Sequence, residues 1–354
     1  MANILFVNLR KSEFKTWVAE QQAKIFGHEI FHVLDQVLGQ PIEKSFTKLY
    51  AYPSKESFID TVNLAVDMFG IQYITTQTDF LNPLLDEIKT SAKIIPDIKS
   101  PINSIVDKIE FSYFCEKNNL PYINYSIPKN IDELKNVKGP FFIKTSNGTG
   151  GSVSLENKLR YYDYNRYESS EKFIEILKET NSLEDFFNIQ INGEEFEIKK
   201  YKYNKGISGL KTKFIIQDCV FSDLYYILGG VVIDYKIYFV YVSKIVNPEA
   251  TDIYFHDHKY RQNVFLDYNQ DVSKIIDLCD ENVYNSFIEQ FNNLIKLSGL
   301  KNSIFHIDFI PYKNTLVMQD LNLRTGGTFT NILKNNNLKH PLNLDYPSLW
   351  KFTN

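Results

Sequence analysis

Cysteine is scarce in this chain. Its 354 residues include only Cys115, Cys219 and Cys279, an odd number with no CxxC pair. Such scattered thiols exclude a disulfide framework and read as reduced cysteines of a cytosolic protein. Charge of one sign is missing as well: 39 Lys and Arg against 43 Asp and Glu leave a formal net charge of −4. No global field therefore favours nucleic acid or an anionic membrane. No stretch reaches the roughly 20 apolar residues that span a bilayer. The opening MANILFVNLRKSEF has too short an apolar run for a signal segment and no basic residues before it. Repeats, low-complexity tracts and the GxxxxGK[ST] phosphate loop are absent. No Ser or Cys stands in a convincing nucleophilic constellation. The expectation is a cytoplasmic, soluble protein that binds neither nucleic acid nor membrane.

What is present is apolar and aromatic. Hydrophobic residues make up 44% and aromatics 15%, which excludes disorder, and the length allows two or three domains. Residues 4–7 predict a buried strand, and helices are expected over 13–26 and 56–69. The second carries Phe58, Ile59, Val62, Ala65, Val66 and Phe69 at helical spacing, starts at Pro53-Ser54 and closes at Gly70. A strand at 71–75 completes an alternation that predicts an open α/β sheet over residues 1–95. Asn8 and Arg10 follow its first strand, where such sheets place ligands. Pro96 and Pro101 mark a linker. A helix over 107–118 has Lys108 at its start and ends before Pro121.

The strand 140–144 ends in Lys144 and leads into TSNGTGGS, followed by a strand at 153–155. Ser146, Gly148, Gly150, Gly151 and Ser152 make this a hairpin whose backbone N–H groups can close over phosphates. A helix is expected at 169–180, a strand at 186–191, and a further strand from Glu194. Residues 213–246 are β-rich, with Gly229-Gly230 and Asp234 read as turns and Lys244 near the end. A helix over 280–297 shows Val283, Phe287, Phe291, Leu294 and Ile295 on one face. His256-Asp257-His258 lacks a third ligand and is not read as a metal site.

The most informative stretch is HIDFIPYKNTLVMQDLNLRTGG, residues 306–327. Phe305, Ile307 and Phe309 alternate with His306, Asp308 and Ile310, and Tyr312-Lys313-Asn314-Thr315 supplies a turn. On the return, Asp320, Asn322 and Arg324 fall at i, i+2 and i+4 and so share a face that Asp308 can approach from the neighbouring strand. Two carboxylates and an amide oxygen suit Mg²⁺, and the arginine fork suits a phosphate or carboxylate.

In this order the pieces resemble the ATP-grasp superfamily over roughly residues 96–330, with DLNLRTGGT the most specific part. The resemblance implies an α/β (α+β) ATP-grasp fold. An open-sheet pre-ATP-grasp domain at 1–95 would precede a small subdomain at 96–187 with the glycine-rich loop and a large subdomain at 188–354 with the metal and phosphate site. By resemblance, Lys108 and Lys144 contact nucleotide phosphates. NIQINGEE is similar to the linker that takes the adenine edge, through Gln190 and Ile191. Glu195, with Glu194 as the competing assignment, matches the carboxylate that binds ribose. Lys244 falls near the basic residue that reaches the terminal phosphate. Asp308, Asp320 and Asn322 match the Mg²⁺ ligands, and Arg324 the arginine of the E-x-N-x-R ending. Two positions depart from the pattern: Asp320 replaces Glu, and Asn188 or Gln190 stands where the linker usually has an acid.

The implied cofactors are ATP and Mg²⁺, with Mn²⁺ as a substitute. The implied activity is a carboxylate–amine ligase, forming an amide or peptide bond through an acylphosphate and releasing ADP and phosphate. The RTGGT ending resembles that of peptide ligases. Alternatives are a small-molecule kinase and a non-catalytic nucleotide-binding scaffold. Small-molecule or peptide acids and amines are the expected partners, with Arg10, the 76–82 loop, Arg261 and Lys211 as candidates on the acceptor side. Dimers are common in the family, so a homodimer is an expectation too.

Overall fold

The computed structural model describes residues 1–9, 13–36, 45–147, 153–154, 165–195, 197–198, 208–246, 261–326 and 348–352. The chain opens with β1 (Asn3–Asn8), α1 (Glu13–Ile25), β2 (Glu29–Asp35), β3 (Lys48–Ala51), α2 (Lys55–Phe69), β4 (Tyr73–Thr75), α3 (Asn82–Leu85) and β5 (Lys93–Ile95). β1 is apolar almost throughout because it is a central parallel strand, covered on both faces. The Ser54 side chain accepts from the Ser57 backbone N–H to start α2, and Gly70, at φ 57°, ends it. Five parallel strands lie in the order β3-β2-β1-β4-β5. The winding reverses between β1 and β4, which opens a crevice beyond Asn8 and Thr75.

Next come α4 (Asn103–Val106), α5 (Lys108–Lys117), β6 (Tyr125–Ser126), α6 (Ile131–Lys135), β7 (Phe141–Thr145), β8 (Val153–Ser154), β9 (Asn165–Tyr167), α7 (Ser170–Glu179) and α8 (Leu183–Asn192). Short strands β10 (Glu194–Glu195), β11 (Glu197–Ile198) and β12 (Lys211–Thr212) precede β13 (Phe214–Asp218). A four-stranded antiparallel sheet runs β6-β13-β7-β9. Phe141 and Ile143 turn one face of it toward Phe173, Leu177, Phe186 and Ile189 of α7 and α8. Phe142 and Lys144 therefore face the other way.

The third sheet holds β14 (Leu224–Ile233), β15 (Lys236–Val246), β16 (Arg261–Phe265), β17 (Ser303–Tyr312) and β18 (Thr315–Asn322), in the antiparallel order β16-β15-β14-β17-β18. Between β16 and β17 lie α9 (Ser273–Cys279) and α10 (Glu281–Ser298). Phe287 and Phe291 of α10 pack on Tyr226, Phe305 and Phe309, with ring centroids 4.6–5.4 Å apart. The same buried cluster contains Leu5, Val7, Val62 and Ile74, so the N-terminal sheet and the third sheet share one core.

Several expectations hold, including the helices near 13–26, 56–69, 107–118, 169–180 and 280–297 and the 306–322 hairpin with its turn at Lys313 and Asn314. Two need correction. Residues 186–191, expected as a strand, lie within α8, where Phe186, Ile189 and Gln190 are buried at i, i+3 and i+4. A short apolar run carries no decisive period, and here the helical one wins. Gly229-Gly230, expected as a turn, sits inside β14, and the turn comes at Asp234 and Tyr235, both at positive φ. The chain changes sheet between Asp218 and Leu224, whereas residues 187 and 188 fall inside α8. Cys115 and Cys279 are free thiols whose pKa burial pushes up to about 12, as suits inert core cysteines. Among the described residues no helix is long and apolar enough to cross a membrane.

Candidate active site

The hairpin register decides what faces what. His306 pairs with Asn322 and Asp308 with Asp320, and the register then slips, so that Phe309 opposes Met318 and Gln319 is the extra residue. His306, Asp308, Asp320 and Asn322 thus lie on one face, while Ile307 and Leu321 point into the core against α10. Asp308 is deeply placed. Burial, and next the opposing Asp320 carboxylate, push its pKa up to about 7. Its Oδ1 has no hydrogen-bond partner. A buried orphan oxygen beside a second carboxylate and an amide oxygen fits a hard divalent cation. Among the described residues no three His, Cys, Asp or Glu side chains cluster for a metal.

The four-stranded sheet supplies one cation, Lys144, near this face. Lys144 is buried, and its Nζ donates to Gln217 Oε1 at 2.9 Å. It is near enough to Asp308 to lower that carboxyl's pKa. Lys108 opens α5 behind the N-cap Asp107, and its backbone N donates to Ser146 O at 2.9 Å. Ser146 in turn meets Thr212 Oγ1 through its hydroxyl at 3.3 Å. The backbone at the start of α5 is therefore held against Ser146, just beyond β7. Gly148, Gly150, Gly151 and Ser152 lie outside the described residues. Phe142, Lys144, Gln217, Val220, Ile310 and Gln319 line one small cavity, which is where the two sheets meet.

Arg324 lies 2.8 Å through Nε and 2.6 Å through Nη2 from Asp79 Oδ2, and Nη2 reaches Asn322 Oδ1 at 3.3 Å. Beside it Thr325 N donates to Gln77 Oε1, and Gln77 N to Asn8 Oδ1. The end of the hairpin is thus docked into the crevice between β1 and β4. Asp79 escaped the sequence reading as an individual residue. Its signal was an acid just beyond a parallel strand, within the 76–82 segment already suspected.

Other expected residues sit elsewhere. Lys244 pairs across strands with Tyr226 and Gln262, on the face that packs against the helices, and its Nζ donates to Leu278 O at 3.1 Å. Arg261, opposite Ile245, belongs to the Asp308 face. Burial lowers its pKa while Tyr241, Tyr225 and Asp308 raise it, and its Nε and Nη2 have no hydrogen-bond partner. Gln190 is buried in α8, where its Oε1 accepts from Phe214 N at 2.9 Å and pins β13. Ile191 is exposed. Glu194 and Glu195 lie on a two-stranded ribbon with β12, and Glu195 Oε1 accepts from Gly209 N at 3.1 Å. The segment that actually crosses from one sheet to the other is 219–223.

Two antiparallel sheets, one bearing Asp308, Asp320 and Asn322 and the other Lys144, accompany an open parallel sheet. No family model and no curated protein matches the sequence. Solved structures match the fold. L-amino acid ligase from Bacillus licheniformis has 10% identity and a TM-score of 0.57, over 96% of this chain and 75% of that one. Carboxyaminoimidazole ribonucleotide synthase from Aspergillus clavatus, complexed with ATP, has 10% identity and a TM-score of 0.54, over 91% and 71%. N5-carboxyaminoimidazole ribonucleotide synthetase from Thermus thermophilus has 10% identity and a TM-score of 0.53, over 97% and 79%. The fold is the ATP-grasp fold.

Proposed function

We propose that this protein is an ATP-dependent carboxylate–amine ligase that makes an amide or peptide bond through an acylphosphate. The observation that carries the reading is Asp308 facing Asp320, with Asn322 two residues on and Lys144 close enough to act on Asp308. The likeness to an ATP-complexed synthase and to an amino acid ligase supports nucleotide in the clamp and an amino acid or short peptide as acid.

Asp308, Asp320 and Asn322 would hold Mg²⁺, which when bound neutralises charge on the phosphates. Lys144, from the opposite sheet, and Lys108, from the start of α5, bind phosphate oxygens. Arg261 is assigned to the terminal phosphate in place of Lys244, because it lies on the Asp308 face with unpaired N–H groups. The crossing 219–223 replaces Gln190 and Ile191 as the backbone that takes the adenine edge, and Asp223 replaces Glu195 as the ribose carboxylate. In the first step an oxygen of the acid attacks the γ-phosphorus, the bond to ADP breaks, and ADP leaves. In the second step an amine nitrogen attacks the acyl carbon, the C–O bond to phosphate breaks, and the nitrogen gives up a proton. Transfer of this kind needs placement and charge neutralisation more than covalent help. Arg324, held by Asp79 beside the crevice, stabilises the oxyanion of the second step.

The test is turnover of ATP and Mg²⁺ with pools of amino acids and short peptides. ADP and phosphate formed only when acid and amine are both present, and lost in Asp320→Ala, support the ligase. AMP and pyrophosphate overturn it. ADP without free phosphate means a kinase, and nucleotide binding without turnover means a scaffold.

A further inference from the structure

Gly229 occupies the middle of β14, flanked directly by Tyr241 on β15 and His306 on β17. A strand-interior glycine weakens a sheet and marks a close approach. Here the approach is a side chain crossing a strand. A Cβ at Gly229 would stand 2.0 Å from Tyr241 Cε1 and 2.7 Å from its hydroxyl oxygen. Neighbouring strands are about 4.8 Å apart, so Tyr241 reaches β17 only by laying its ring across this gap. There its hydroxyl meets His306 Nδ1 at 2.6 Å. A second glycine lies close against the imidazole: a Cβ at Gly326 would stand 2.1 Å from His306 Nδ1. The other ring nitrogen, Nε2, lies 3.5 Å from Asp308 Oδ1, the oxygen that has no hydrogen-bond partner. Tyr241 and His306 are both buried. Nothing in the proposed chemistry uses either residue.

We propose that Tyr241 and His306 are positioning residues that set the orientation of the Asp308 carboxylate as a metal ligand. The phenol fixes the imidazole at Nδ1, and the imidazole so held keeps Nε2 3.5 Å from Asp308 Oδ1 and limits where that oxygen can turn. Partners one step behind a metal ligand orient it in this way, and their loss costs about 10–100-fold in metal affinity. The inference rests on the reading of Asp308, Asp320 and Asn322 as a cation site.

The experiment measures Mn²⁺ binding by water-proton relaxation, with saturating ADP, in the full chain. Tyr241→Phe keeps the ring over Gly229 and removes only the hydroxyl. It is expected to weaken Mn²⁺ about tenfold or more, with the unfolding temperature nearly unchanged and ADP affinity without metal unchanged. His306→Asn is expected to weaken it as much, and the double variant no further than either alone. Wild-type affinity in Tyr241→Phe, or effects that simply add in the double variant, would overturn the positioning role and leave the ligase reading intact. Wild-type protein that binds ADP but no Mn²⁺ would overturn the cation site, and this inference with it.

Discussion

Arg324 places Nε and Nη2 at 2.8 and 2.6 Å from one oxygen, Oδ2 of Asp79, and both side chains are buried. The pair joins the end of β18 to the loop after β4, so it couples the third sheet to the N-terminal sheet across 245 residues of sequence. Removing one partner leaves a buried charge without its counter-ion. Asp79→Ala is therefore expected to lower stability by about 3–5 kcal/mol, read from urea unfolding. A loss below about 1 kcal/mol, the scale of exposed pairs, would mean that water already reaches the guanidinium.

The elevated Asp308 pKa fixes the sign of a pH effect. Its carboxyl moves from 3.8 to about 7 through burial and the Asp320 charge. The folded state therefore holds this proton more tightly than the unfolded chain. The associated stability is full below about pH 4 and lost as pH rises through about 7. Metal-free protein should show an unfolding temperature that falls over that range, and Asp308→Asn should flatten the fall. Mg²⁺, competing with the proton, should bind more weakly at about pH 6 than at about pH 8.

Gly229→Ala should destabilise by about 1–3 kcal/mol, the range for overpacking. The added Cβ would overlap the Tyr241 ring at 2.0 Å, and that ring is held at its far end by the hydroxyl contact with His306 Nδ1. Pairing this change with Tyr241→Leu should recover part of the loss. Thermal unfolding of both variants settles it.

Part of the hairpin was legible: period-2 alternation puts Asp320 and Asn322 on one face, but only the bulge at Gln319, which alternation does not foretell, brings Asp308 opposite Asp320. The order of pieces, from Lys108 through Lys144 to DLNLRTGGT, was enough to indicate the fold. Lys244 misled because sequence spacing fixes a strand but not which face meets the helices. Only the pairing of Lys244 with Tyr226 shows it turned away, and only the pairing of Arg261 with Ile245 shows the other cation turned in. The 186–191 run failed because helix and strand periods are indistinguishable over so short an apolar stretch. Gly229 read as a turn because its reason, a tyrosine lying across it, comes from a residue on another strand.

The two lysines separate the faces experimentally. Lys144→Ala should weaken ATP binding by about tenfold or more, the scale of one charge-assisted hydrogen bond. Lys244→Ala should leave ATP affinity unchanged, since its ammonium is spent on the Leu278 carbonyl in the last turn of α9. Equilibrium titration with ATP and Mg²⁺ compares them, and equal losses would contradict this assignment of faces.

The central claim is that phosphate passes from ATP to a carboxylate oxygen. Turnover with a productive amino acid pool labelled with ¹⁸O in its carboxyl groups tests it most directly, by mass spectrometry of the products. The expected result is one ¹⁸O in the released phosphate, alongside ADP. Label found in AMP, with pyrophosphate as the other product, would contradict the acylphosphate route.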